Sequence, residues 1–157
     1  MIINRDFNDF KFRHRSKKNQ IIYTSKKVKS DEEILNLINN FLEEKNSFIF
    51  ESVEKGKIKG RYTIFGKNPD KIWEFNNHNS YLIQNKKKIK LKDRPDKLIE
   101  KIIEDFKFET PKNLPKICSL ISGYFSYDSI RYVEKIPNKC KNDLNLPDVR
   151  LLRPRTL

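Results

Sequence analysis

The sequence predicts a mixed fold in which helices flank an antiparallel meander of short strands. Three observations predict it. A capped apolar stripe with helical period occupies residues 30–42. Short apolar segments separated by glycine, asparagine and proline fill residues 47–91. A second helical stripe opens at Pro95-Asp96.

Taken in order, Phe7, Phe10 and His14 recur at helical spacing and predict a short N-terminal helix. Residues 20–29 (QIIYTSKKVK) read as a strand. Ser30, followed three residues later by Glu33, has the spacing of a capping box. Behind it Ile34, Leu35, Leu37, Ile38, Phe41 and Leu42 form an apolar stripe of helical period. Strands are predicted over 47–53, 61–66, 72–75, 81–84 and 88–91, with turn signals at Gly56/Gly60, Asn68-Pro69-Asp70, Asn76-Asn77 and Asn85. Spacing this short implies hairpin connections, hence an antiparallel sheet with one buried and one wet face. Pro95 suits the first turn of the next helix, where no internal N–H partner is needed. Leu98, Ile99, Ile102, Ile103 and Phe106 line one side of that helix. Beyond a linker at 110–115, residues 117–122 read as a buried strand, 124–134 carry helical spacing, and 149–157 form a last strand. That strand ends without a turn or cap, so the expectation is an interrupted element with an unpaired edge and poor solubility.

With 157 residues, the chain suits one domain. Charged residues make up 35%, but 11 Phe and 6 Tyr supply bulky core material, which argues against disorder. No apolar run approaches the roughly 20 residues of a membrane helix. The first 15 residues lack the apolar stretch of a signal peptide, so a cytoplasmic location is expected. Cys118 and Cys140 form no CxxC and read as reduced thiols, and His14 and His78 have no ligand-spaced companions. No nucleophile, base and orienter fall into a catalytic pattern. The net charge of +13 admits a nucleic-acid partner, whose binding would collapse steeply with salt. The complete lack of alanine beside abundant Lys, Ile and Asn favours a compositional origin instead.

Several motifs stand in order: Glu51-Ser52-Val53-Glu54, Gly60-Arg61-Tyr62-Thr63, Pro69-Asp70 with Trp73, Gly123-Tyr124 with Tyr127-Asp128 and Arg131, and Leu146-Pro147-Asp148. Together, from about Gln20 onward, they resemble the N-terminal region of anthranilate synthase component I, a chorismate-utilising family. Ser126 stands where that family often has glycine, and Lys55 replaces a common glycine after Glu54. The resemblance implies an α+β fold, with largely antiparallel sheets and helices packed outside, in agreement with the meander. It also implies that residues 1–157 form an N-terminal region whose chorismate-binding domain, with the catalytic residues and the Mg²⁺ site, lies outside this sequence. The chain alone is then expected to be inactive.

For the whole enzyme the resemblance implies conversion of chorismate and glutamine-derived ammonia to anthranilate and pyruvate in tryptophan biosynthesis. A glutamine amidotransferase subunit (component II) would be its partner. It further implies that Glu51, Ser52 and Arg61 contribute to a feedback site for L-tryptophan. Glu51 would pair with the ammonium, Ser52 would donate or accept beside it, and Arg61 would hold an anionic group. On residue chemistry alone, Glu51-Ser52 simply ends a strand and Arg61 pairs with Glu54. Asp128 and Arg131, three apart at helical spacing, read as a local ion pair. Aminodeoxychorismate synthase component I, of similar architecture, and a basic nucleic-acid-binding domain are the alternatives.

Overall fold

The computed structural model describes residues 7–16, 19–42, 45–54, 58–106, 110–137, 139 and 143–157. Within them the side chains of residues 7, 9, 53, 54 and 58–61 are outside the description, as is Cys140 altogether. The chain runs α1 (Phe7–Arg15), α2 (Asp31–Leu42), β1 (Phe48–Glu54), β2 (Ile58–Asn76), β3 (Asn79–Gln84), β4 (Lys87–Leu91), α3 (Pro95–Phe106), β5 (Ser122–Phe125) and β6 (Val149–Thr156). Short 3-10 helices cover Lys116–Cys118 and Tyr127–Tyr132. The fold is α+β, and every strand pairing is antiparallel.

Local chemistry places the helices and hairpins where the sequence puts them. The Ser30 hydroxyl accepts the Glu33 N–H at 3.3 Å, and the Glu33 carboxylate reaches back to the Lys29 N–H at 3.2 Å, a capping box displaced by one residue. Phe10 and His14 stack on α1 with centroids 5.9 Å apart. The β3–β4 turn places both Asn85 (φ 51°) and Lys86 (φ 60°) in the left-handed region, as a two-residue hairpin of primed type requires. Asn77 (φ 52°) serves the β2–β3 turn in the same way.

Two predicted strands, 61–66 and 72–75, are one 19-residue strand, β2. Asn68-Pro69-Asp70 does not reverse the chain. Asn68 (φ 53°) begins a bulge in the β2–β6 ladder, where the register shifts between Pro69 and Lys71. Pro69 lies opposite Pro154, so the missing N–H of each falls where the ladder is already irregular. The N-terminal half of β2 pairs with β1 and the C-terminal half with β3 and β6, giving the order β4-β3-β2-β6-β5.

Three further expectations are corrected. Residues 20–29 form no strand, because no ladder partner stands beside them. Residues 117–122 divide between a 3-10 turn and the start of β5, and 124–134 between the end of β5 and a 3-10 helix. The last strand is not an orphan: β6 pairs with β2 on one side and β5 on the other, so the unpaired-edge reason for poor solubility falls away.

The main core cluster lies on one face of the sheet, where Trp73, Phe75, Val149 and Leu151 meet Leu98 and Ile102 of α3 and the Tyr132 ring, while the paired Ile72 and Leu152 are buried on the other face. Phe75 and Val149 are completely buried. α2 covers β1–β2 less fully. Phe41 meets Phe65 edge-on at 4.5 Å, while Leu35, Leu37 and Leu42 stay exposed.

Two backbone positions give opposite predictions. A Cβ on Gly123 would sit 2.0 Å from the Arg150 carbonyl oxygen across the β5–β6 ladder. Gly123→Ala should therefore cost at least about 2 kcal/mol in urea unfolding, since neither backbone can retreat without breaking the pair. Lys86→Gly relieves a left-handed non-glycine residue and should raise stability by about 1 kcal/mol. An unchanged urea midpoint in either variant would contradict the corresponding backbone assignment.

Candidate functional site

Glu51 and Ser52 lie near the end of β1, and both are exposed. The ladder with β2 runs regularly from Phe48↔Gly66 to Glu51↔Thr63 and resumes at Val53↔Lys59. Ser52 alone therefore spans Gly60, Arg61 and Tyr62 on the opposite strand. This irregularity sets the Arg61 backbone across from Ser52. The three sequence-predicted residues thus share one strand pair at the level of the backbone, while the Arg61 side chain lies outside the described part. Gly66 anchors the register at the other end: a Cβ there would meet the Phe48 ring at 2.6 Å and Pro154 at 3.2 Å. Phe50, with its ring 5.1 Å from that of Phe48, leaves an apolar surface open. Phe50 and Glu51 are successive residues of the regular ladder and face opposite sides of the sheet, so the strand end offers an aromatic surface on one side, a carboxylate on the other and the Ser52 hydroxyl at the irregularity between them.

Other motif residues are engaged in structure. The Asp148 Oδ2 accepts from the Asn77 N–H at 2.6 Å and the Tyr132 hydroxyl at 2.9 Å, and its backbone carbonyl accepts from the Ser126 N–H at 2.7 Å. Burial, then the bond to Asp148, pushes the Tyr132 hydroxyl far above its usual range and keeps it a donor. Ser126 adopts φ −73°, ψ 166°, extended backbone open to any residue, so the backbone there does not require glycine, while the serine Oγ is buried without a hydrogen-bond partner among the described residues. Asp128 and Arg131 form the expected ion pair on the 3-10 helix, and Arg131 also donates to the Pro137 carbonyl at 3.4 Å.

Two carboxylates on β2 hold the strands together. Glu74 accepts from Lys88 at 2.8 Å and from Arg150 at 3.2 Å, while Arg150 also donates to the Asn46 side-chain oxygen at 2.7 Å. The register sets Lys90, Tyr81, Glu74, Arg150 and Tyr124 in one row across β4-β3-β2-β6-β5. At the bulge, the Arg153 guanidinium grips both Asp70 oxygens, with Nε to Oδ1 at 2.7 Å. The sequence marks Asp70 as a turn residue and as part of the Pro69-Asp70 motif, with no local sign of an ion pair. Its partner stands 83 positions away, and the only available signal was an acid and a base beside paired prolines.

The comparisons with known proteins agree with these motifs. Over 153 residues, 94% of this chain, the sequence is 30% identical to an anthranilate synthase component 1 of Cereibacter sphaeroides. The chain belongs to the anthranilate synthase component I family. The protein of the same name from Acetivibrio thermocellus is 34% identical over 84% of the chain. An anthranilate synthase alpha subunit 1 of Oryza sativa subsp. indica is 37% identical over 67% of it. The chain spans 31%, 27% and 20% of these three relatives, less than a third of the family's length in each case. No protein-family model matches the sequence. Among the described residues no helix is long and apolar enough to cross a membrane.

The two β2 carboxylates predict a pH response. Burial pushes the Asp70 and Glu74 carboxyls up, but Arg153 on one, and Lys88 and Arg150 on the other, outweigh it and leave both below the usual carboxylate range. Their contribution is then full above the carboxyl pKa of the unfolded chain and is lost as pH falls through the depressed folded value. Stability should drop in acid, between about pH 5 and pH 2. Arg153→Met should narrow the difference in unfolding free energy between neutral and acid pH. An unchanged difference in chemical denaturation would show that the Asp70 pair contributes nothing.

Proposed function

We propose that this chain is the N-terminal part of an anthranilate synthase component I whose whole polypeptide acts in the cytoplasm. That enzyme converts chorismate and ammonia to anthranilate and pyruvate, with the ammonia drawn from glutamine by a component II subunit. The identity to anthranilate synthase component 1 over nearly the whole chain carries this reading. Among the described residues no group of three or more His, Cys, Asp or Glu side chains could hold a metal ion. Catalysis and the Mg²⁺ site are assigned to the parts of the polypeptide outside this sequence.

This region's own task is to bind L-tryptophan as feedback inhibitor at the end of β1. Glu51 pairs with the ammonium, and Ser52 bonds the same end of the ligand. Arg61, set opposite Ser52 by the ladder irregularity, holds the carboxylate. The exposure of Glu51 and Ser52 together on one strand end supports this assignment.

Two measurements test the reading. The 157-residue chain should yield no anthranilate from chorismate and ammonium, whereas the whole polypeptide should yield it as a fluorescent product. Aminodeoxychorismate as the product would move the protein to the folate branch. In the whole enzyme, Ser52→Ala should raise the tryptophan concentration for half-inhibition about tenfold, the scale of one lost charge-assisted hydrogen bond. Inhibition as strong as in the parent would remove Ser52 from the site.

A further inference from the structure

A cavity of about 900 Å³ lies beside the β2 bulge, away from the Glu51 strand pair. His14 of α1, the extended residues 19–24, Phe106 at the end of α3, Leu114, Cys118 and Leu120, and the end of β6 line it, and it stays partly open to solvent. Its volume falls in the range of small-molecule sites. Phe106, Leu114, Leu120 and Pro154 give it apolar surface. Asp70, Arg153 and Arg155 give it charge.

That charge does not cancel. Arg153 neutralises Asp70 by its two-pronged grip, yet Lys71 and Arg155 also act on the same carboxylate. Lys71 does not line the cavity, so among the described lining residues Arg155 is the one arginine left in excess over the Asp70–Arg153 pair. Arg155 is exposed near the end of β6, with its head available to a ligand in the cavity. A single negative charge matches this surplus better than a dianion, because Arg153 is already committed to Asp70. A neutral or cationic ligand would leave the surplus unanswered. Cys118 also lines the space, and burial pushes its thiol up, so it stays neutral and does not compete as an anion.

We propose that this cavity binds a small monocarboxylate with an aromatic or branched apolar body. The carboxylate sits at Arg155, beside the Asp70–Arg153 pair, and the body packs against Phe106, Leu114 and Leu120. The site is separate from the tryptophan site assigned above, since neither Glu51 nor Ser52 lines it.

The test uses the isotope-labelled whole polypeptide and three probes of equal apolar body: 3-phenylpropionate, 3-phenylpropanol and 3-phenylpropylamine. The carboxylate should give saturable amide shifts at Phe106, Leu120, Arg153 and Arg155. The alcohol and the amine should bind at least about fivefold more weakly. Arg155→Ala, an exposed substitution, should weaken the carboxylate about tenfold. Leu114→Trp, which fills the apolar part, should abolish the shifts while the rest of the spectrum stays folded. Equal affinity for alcohol and carboxylate overturns the proposal. So do shifts centred on Glu51 and Ser52, or no saturable shift at about 10 mM probe, beyond the millimolar range of weak sites.

Discussion

Everything in this structure hangs on the length of β2. A strand of 19 residues far exceeds the usual five or six, and it gives two sets of partners one shared backbone. Its first half carries β1 and, through Phe65, the helix α2. Its second half lies between β3 and β6 and supplies Trp73 and Phe75 to the core. Continuity through the middle requires that Asn68-Pro69-Asp70 be absorbed rather than turned. The left-handed Asn68, the two facing prolines and the grip of Arg153 on Asp70 accomplish that together. A carboxylate displaced from the regular ladder would otherwise be half-buried without a counter-charge, a costly arrangement.

The same strand explains which parts of the fold were legible in sequence. Features set by local chemistry read correctly: the Ser30–Glu33 cap, Pro95 at the start of α3, and the asparagine turns at 77 and 85. Features set by distant pairing did not. Residues 20–29 have the pattern of a strand, but a strand exists only where a partner supplies a ladder. Asn-Pro-Asp is a turn signal in isolation, and only the presence of β6 alongside makes it a bulge. The last strand looked orphaned because its partners stand about 30 and 80 residues earlier in the chain, beyond any window of periodicity.

The candidate site divides along similar lines. Motif order groups Glu51, Ser52 and Arg61, and the β1–β2 register places their backbones on one strand pair. What sequence could not supply is the role of the other motif residues. Asp148 joins the β2–β3 turn, the Tyr132 hydroxyl and the Ser126 backbone, contacts that span up to 71 positions. Gly123 permits the close approach of β5 to β6, and Gly66 makes room for the Phe48 ring. Each of these is a packing or hydrogen-bonding demand that the finished fold imposes on one position.

Set against those residues, Glu51 and Ser52 meet no comparable demand among the described residues. Both side chains are exposed at the end of a strand, where substitutions usually shift stability by less than about 0.5 kcal/mol. Gly123 and Asp148 cannot be exchanged without disturbing the sheet, whereas the Glu51-Ser52 pair can. The physical consequence is a separation of effects. Changes at the structural motif residues act on folding and reach any ligand site only through it. Changes at the end of β1 leave the sheet intact and act on whatever the carboxylate, the hydroxyl and the open face of Phe50 meet. The strand pair is the frame that holds them at fixed spacing.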